Sequence, residues 1–310
     1  MKVAFLYPGQ GAQYAGMGRE LYERHPEVRD TFAEASDVLG YDLSRLVFDD
    51  PEGVLRLTEY AQPAILTLSV ACHRLLEARG FTPDYGAGLS LGEYTALVGA
   101  KALPFAQAVW LVRRRGRYMQ EAVAAGEGAM AAILGLSDDE VQALCREIEG
   151  VEPANYNCPG QVVVSGQVTA VRELMERARA AAARKVALLE VSAPFHSRYM
   201  RPAAERLRPD LQEVDFRRAR YPVISNVDAA ELSEPEAIRR ALYRQMTSPV
   251  RWTEVAQKLA ASGVRLMIEL GPGTVLAGFQ RRIDRGVRVL SFPEKVGLDD
   301  LVRELEVFSG

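Results

Sequence analysis

Residues 85–100, YGAGLSLGEYTALVGA, set the strongest limit on the fold. A short apolar stretch suited to a strand runs up to Ser90, and a helical stretch leaves it. Glycines stand two residues on either side, in the order Gly88-Leu89-Ser90-Leu91-Gly92. A serine on a strand-to-helix turn is cramped, and glycines at those positions leave room for the packing around it. The pattern alone does not settle the role of Ser90. It is either a nucleophile on a sharp turn or a serine in a glycine-rich loop. A serine hydroxyl is a weak nucleophile at neutral pH, so the first reading requires a base elsewhere in the chain.

The rest of the chain supports an α/β class. VAFLY at 3–7 reads as a buried strand followed by the loop PGQGAQ. Helical apolar spacing covers 16–38 and 61–79, the second ending near Gly80, and a further helix covers 104–120 with Pro104 near its first turn. Beyond residue 193, YPVISN, RLMIEL and VRVLSF read as strands, and GPGTVLAGFQRRI as a glycine turn entering a helix. Strands alternating with helices predict a mostly parallel sheet covered on both faces.

Residues 126–192 differ in texture. GAMAAILGL reads as a strand, DDEVQALCREI as a helix with acidic residues at its start, and EPANYN and QVVVSG as strands around a Pro159-Gly160 turn. TAVRELMERARAAA is another helix and KVALLEV another strand. The order β-α-β-β-α-β is that of a ferredoxin-like unit. The expectation is a compact insert at 126–192 in a discontinuous core built from 1–125 and 193–310.

Bulk properties remove several classes. The 310 residues exceed the usual size of one core, and 48% apolar with 25% charged residues is ordinary for a globular chain. A net charge of −3 gives no overall bias toward nucleic acid or membrane. The apolar run before Pro8 is too short for a signal peptide, and no run of about 18 apolar residues suggests a membrane span. Cys72, Cys145 and Cys158 are few, odd in number and scattered, which fits neither a disulfide framework nor a cysteine zinc site. No metal is expected, and a reducing cytoplasm is the expected compartment.

The chain has three histidines from which to draw a base. His25 precedes Pro26 in a charged stretch and reads as a surface residue. His73 lies inside an amphipathic helix and reads as a packed or surface helix residue rather than a base. His196, in VSAPFHSRYM, follows a strand and sits in a loop, where α/β folds place chemistry. If a histidine activates Ser90 it is this one, although a loop histidine with no role fits the same pattern. Gln10 between glycines could aim an amide N–H into a site as an oxyanion donor, though PGQGAQ is also a plain turn. In LVRRRGRYMQ at 111–120 adjacent arginines point in different directions on a helix, so one can turn inward to hold a carboxylate while the others face solvent.

Taken together, FLYPGQGAQ, GLSLGEYTALVGA, RRRGRYMQEA, NYNCPGQVVVSG, APFHSRYM, ISNVDA, QMTSPVRW and ELGPGTVLAGF resemble the successive signatures of the malonyl-CoA:acyl carrier protein transacylase family, in order, from about residue 3 to about residue 280. The resemblance implies an α/β-hydrolase-like core with a ferredoxin-like insert, in agreement with the pattern at 126–192. It implies Ser90 as nucleophile and His196 as base. Gln10 and the Leu91 backbone N–H become the oxyanion hole, and Arg115 the group that binds the substrate carboxylate. Gln245 becomes the residue whose backbone carbonyl orients the histidine. The implied reaction is ping-pong transfer of malonyl from malonyl-CoA to the phosphopantetheine thiol of acyl carrier protein, supplying fatty acid biosynthesis, with no permanently bound cofactor and a monomeric chain. Phe195 resembles the bulky residue of members that select malonyl over methylmalonyl. Asn155 and Asn157 are placed near the cleft without a role.

One position departs from the family. Leu89 stands where it usually has histidine, and leucine neither donates a hydrogen bond nor titrates. Two other readings compete: a serine hydrolase, which needs an acidic partner such as Asp138 or Glu152 between Ser90 and His196, and a non-catalytic carrier-protein binding module. A polyketide-type acyltransferase is a variant of the main reading. Acyl carrier proteins are generally acidic, so Arg113, Arg114, Arg117, Arg281 and Arg282 are candidate docking residues.

Overall fold

The computed structural model describes residues 2–191 and 193–309. The chain forms, in order, β1 (Lys2–Tyr7), α1 (Arg19–Arg24), α2 (Pro26–Leu39), α3 (Leu43–Asp49), α4 (Thr58–Glu77), β2 (Tyr85–Gly88), α5 (Leu91–Gly99) and α6 (Phe105–Glu121). Then come β3 (Gly128–Leu134), α7 (Asp138–Glu147), β4 (Val151–Cys158), β5 (Gln161–Gln167), α8 (Val168–Ala180) and β6 (Lys185–Leu188). The last part holds α9 (Arg201–Glu213), β7 (Val223–Ile224), β8 (Glu231–Leu232), α10 (Pro235–Gln245), α11 (Trp252–Ala261), β9 (Val264–Gly271), α12 (Val275–Ile283), β10 (Arg288–Pro293) and α13 (Leu298–Ser309).

The larger sheet has six strands in the order β10-β9-β1-β2-β7-β8, parallel except for the short final pair. Side chains alternate across it, as the pleat requires. Phe5 and Tyr7 enter one core with α4, α5 and α6, whereas Ala4 and Leu6 enter another with α11 and α12. The parallel sheet covered on both faces is therefore borne out. Tyr7 pairs with Gly88, so the loop after β1 and the turn after β2 leave the sheet side by side. In open α/β sheets such carboxyl ends are where ligands bind.

Residues 128–188 build a four-stranded antiparallel sheet in the order β4-β5-β3-β6. Ala131, Ile133, Val162 and Val164 pack under α7 and α8 in a core of their own. Met130, Ala132 and Val163, on the opposite face, join the main core. The unit is also stitched to the rest by backbone bonds, Tyr156 N–H to Val250 O at 2.9 Å and Val250 N–H to Ala154 O at 2.8 Å.

Two expectations need correction. The helix expected over 16–38 is two helices, with His25 extended between them at φ −121° and ψ 116°. Pro26 has no N–H to continue a helical ladder and pushes the residue before it out of the α region. The strand expected over YPVISN pairs only at Val223–Ile224, because Asn226 turns away to serve another purpose, described next. The apolar spacing leads to no expected helix over α3, α9, α10, α11 or α13, and the structure forms one at each.

Candidate active site

Ser90 sits at φ 53° and ψ −102°, a conformation unfavourable for any residue but glycine. The surroundings hold it there. The Ser90 N–H donates to Asn226 Oδ1 at 2.6 Å, and Asn226 Nδ2 donates to Gly88 O at 2.7 Å. The Leu89 N–H donates to Tyr7 O at 3.0 Å. A Cβ at Gly88 would run into the Gly92 backbone, and one at Gly92 into the Tyr7 carbonyl. Both glycines are thus required by close backbone approach, as the spacing predicted. Leu89 is half-buried and packs on the core that the sheet shares with α11 and α12.

His196 arrives from the loop after β6. Its Nε2 lies 2.7 Å from Ser90 Oγ and its Nδ1 3.0 Å from Gln245 O. A carbonyl can only accept, so Nδ1 carries the proton and Nε2 presents its lone pair to the serine hydroxyl. Burial, and then the neighbouring Arg115 charge, push the His196 pKa down to about 4. The imidazole is therefore neutral at neutral pH and ready to accept a proton. An ordinary histidine, with pKa about 6.5, would be mostly protonated at pH 5.5. We expect single-turnover acylation of Ser90 at about pH 5.5 to stay within about twofold of its rate at pH 7, falling only as pH nears 4. A midpoint near 6.5 in protein that is still folded would contradict this.

Neither acidic candidate takes part. Glu152 pairs with Arg198 at 2.7 Å, and Asp138 starts α7. His73 is buried, bonded to the Tyr7 hydroxyl at 2.8 Å and set edge-on to Phe5, which decides for a packed rather than a surface residue. His25 marks the break between α1 and α2.

Among the arginines of α6, Arg115 turns inward and is 1% exposed. Its Nη1 donates to Gln62 Oε1 at 2.9 Å. Its Nη2 donates to Gln245 Oε1 at 2.9 Å and to Ser90 Oγ at 3.1 Å. The guanidinium carbon lies 5.2 Å from the centre of the Tyr94 ring. Among the described residues no carboxylate forms an ion pair with Arg115, so a buried cation waits beside the serine with neutral partners only. The other arginines of the run are engaged elsewhere. Arg114 makes two bonds to Asp210, Arg113 holds Leu39 O and Glu59, and Arg117 pairs with Glu121. Arg282 donates to Pro159 O at 2.7 Å, tying α12 to the small sheet's turn, while Arg281 is exposed.

The loop after β1 lies against the elbow, where Gly9 packs on the Leu89 carbonyl. Gln10 directs its side chain to Thr58 Oγ1 at 3.1 Å, which leaves the backbone as its contribution to a site. Leu91 opens α5, so its N–H has no acceptor within the helix. Asn155 bridges to Val250 in the junction, and Asn157 and Phe195 are buried. All three cysteines are buried and unpaired.

Sequence reasoning did not reach Gln62, Glu93 or Asn226. Glu93 is enclosed, accepting from Gln245 Nε2 at 2.8 Å and the Asn226 N–H at 3.1 Å, and burial pushes its pKa up to about 7. A polar residue closing an apolar strand run is the one local sign that Asn226 offered.

The family described as Acyl transferase domain matches residues 4–294. The malonyl CoA-acyl carrier protein transacylase of Bacillus subtilis is 47% identical over 303 residues, covering 96% of each chain. That of Escherichia coli K12 is 46% identical, over 90% of this chain and 92% of its own. The crystal structure of the acyl-carrier-protein S-malonyltransferase from Bartonella henselae superposes with TM-score 0.96 at 38% identity over all of both chains. The Vibrio cholerae acyl carrier protein S-malonyltransferase gives 0.94 at 44% identity, over 97% of this chain and all of its own. With a strained serine, a neutral histidine and an enclosed arginine at one sheet end, the chain belongs to the malonyl-CoA:acyl carrier protein transacylase family of acyltransferases.

Proposed function

We propose that the chain moves a malonyl group from malonyl-CoA to the phosphopantetheine thiol of acyl carrier protein through a malonyl ester on Ser90, as a step that supplies fatty acid synthesis. The observation that carries this reading is Arg115: enclosed, in no ion pair with a carboxylate among the described residues, and 3.1 Å from Ser90 Oγ. A neutral ester gives such a cation nothing to do, whereas the free carboxylate of malonyl matches it in charge and fork geometry.

In the first half-reaction Ser90 Oγ attacks the thioester carbonyl while His196 Nε2 takes its proton. The Nδ1–H bond to Gln245 O keeps the imidazole in the tautomer that can do so. The oxyanion is met by the N–H groups of Gln10 and Leu91, each donor of such a hole being worth about 3–4 kcal/mol of barrier. CoA leaves as its thiol, receiving the proton from His196. In the second half the carrier thiol gives His196 its proton, attacks the ester carbonyl, and Ser90 is regenerated with its hydrogen. The Leu89 substitution removes none of these groups.

The finer architecture belongs to the same proposal. The strand order and the pairing of β3 to β6 support a ferredoxin-like insert at 126–192, and the parallel sheet with its serine elbow supports an α/β-hydrolase-like core from 1–125 and 193–310. Among the described residues no helix is long and apolar enough to cross a membrane. A monomer remains part of this reading.

The decisive experiment incubates the protein with malonyl-CoA, with and without acyl carrier protein. Malonyl-carrier product, with little free malonate in its absence, is expected. Steady release of free malonate with no transfer would identify a hydrolase instead.

A further inference from the structure

Arg115 and Glu93 are both enclosed, 1% and 0% exposed, yet they do not meet. Opposite charges buried in one site ordinarily close into an ion pair, because each otherwise bears its desolvation cost without a partner. Here the side-chain amide of Gln245 stands between them. Its Oε1 accepts from Arg115 Nη2 at 2.9 Å, and its Nε2 donates to Glu93 Oε2 at 2.8 Å. An amide suits this place because it offers an acceptor to the cation and donors to the anion. The same Nε2 also donates to Ser90 O at 3.0 Å, which locks the amide's orientation. Both bonds that Glu93 receives, from Gln245 and from the Asn226 N–H, land on Oε2, and Oε1 has no partner.

We propose that the Gln245 side chain is a spacer that stops Arg115 from closing onto Glu93, leaving the guanidinium available to the carboxylate of the acyl group. Gln245 is then a positioning residue twice over, through its carbonyl on His196 and through its amide between two charges. Glu93 is the counter-charge, held one amide away. At that distance it offsets part of the cost of burying Arg115 without competing for its donors. A carboxylate in direct contact would occupy the donors that malonyl needs. The inference rests on the reading of Arg115 as the carboxylate-binding group.

The test exchanges the two residues. E93Q/Q245E keeps the composition and net charge. It does not keep every hydrogen bond: both existing bonds to Glu93 land on Oε2, so the amide introduced at position 93 either donates to the carboxylate introduced at position 245 or accepts from the Asn226 N–H, and the bond to Ser90 O is given up. The carboxylate now touches Arg115. Protein is offered equimolar malonyl-CoA and acetyl-CoA, and the two Ser90 adducts are counted by intact mass. We expect the malonyl-to-acetyl ratio to fall about tenfold or more, with KM for malonyl-CoA raised more than kcat is lowered. A folded exchange variant with the parental ratio and KM overturns the spacer. If the exchange variant does not fold, Q245M removes acceptor and donor together, and the parental ratio there is equally fatal. Arg115→Ala is measured alongside. If it too keeps the parental ratio, the carboxylate-binding reading fails and the spacer with it. If it loses the ratio while the exchange variant keeps it, the spacer alone is wrong.

Discussion

Ser90→Ala is expected to lose the malonyl adduct entirely when the protein is incubated with malonyl-CoA and weighed intact. Transfer to acyl carrier protein should fall by at least about 10⁴-fold, since groups that act as a unit with the nucleophile cannot replace it. The variant is well suited to the test because it leaves the scaffold alone. The bond from residue 90 N–H to Asn226 Oδ1 is made by backbone, so the turn survives the loss of the hydroxyl. Alanine tolerates φ 53° no better than serine, so the strain is unchanged. What disappears is Oγ, with its contacts to His196 Nε2 and Arg115 Nη2. An adduct retained at full stoichiometry on the variant would place the nucleophile elsewhere.

Arg115→Ala is expected to change selectivity rather than abolish chemistry. Leaving one charge of a buried pair unpartnered costs about 3–5 kcal/mol, so the kcat/KM for malonyl-CoA should fall by about 10²-fold or more. Acetyl-CoA has no carboxylate to lose, and its loading should hold or rise. The malonyl-to-acetyl ratio is the quantity to measure, and an unchanged ratio would refute the role given to Arg115. Alanine also leaves a void, so Arg115→Met, which fills most of the space without charge, separates packing from electrostatics. Among the described residues Arg115 hydrogen-bonds to the neutral groups of Gln62, Gln245 and Ser90. Replacing a buried cation of that kind with an apolar side chain removes its desolvation cost but also takes the counter-charge from Glu93, so Tm is expected to be unchanged or raised when measured near pH 6, where Glu93, with its pKa pushed up to about 7, is mostly protonated. A methionine variant that lost both selectivity and several degrees of Tm would instead mark Arg115 as a structural keystone.

How much of this was legible beforehand differs by residue. The elbow was readable because its cause is local: Gly88 and Gly92 are glycines since a Cβ would strike backbone within the same turn or on the adjacent strand. His196 was readable by elimination among three histidines and by its loop position. The break at Pro26 was missed because apolar spacing runs through it, although the missing N–H forbids a continuous ladder. Strand β7 was overestimated because YPVISN is apolar enough for six residues of strand, while the fold uses its last one as a side-chain clamp.

Two kinds of information separate here. The sequence by itself determined the class of fold, the serine turn, the likeness to one acyltransferase family, and the presence of an arginine able to face inward. These follow from short-range patterns, where periodicity and residue type act on neighbours. Only the tertiary structure decided that Arg115, which the family likeness had singled out, is held by Gln62 and Gln245, that Asn226 holds Ser90 from 136 positions away, and that Gln245 bridges to Glu93 across 152. Sheet pairing brings such residues together, and a buried polar side chain takes its role from whichever partners the fold places within hydrogen-bonding reach.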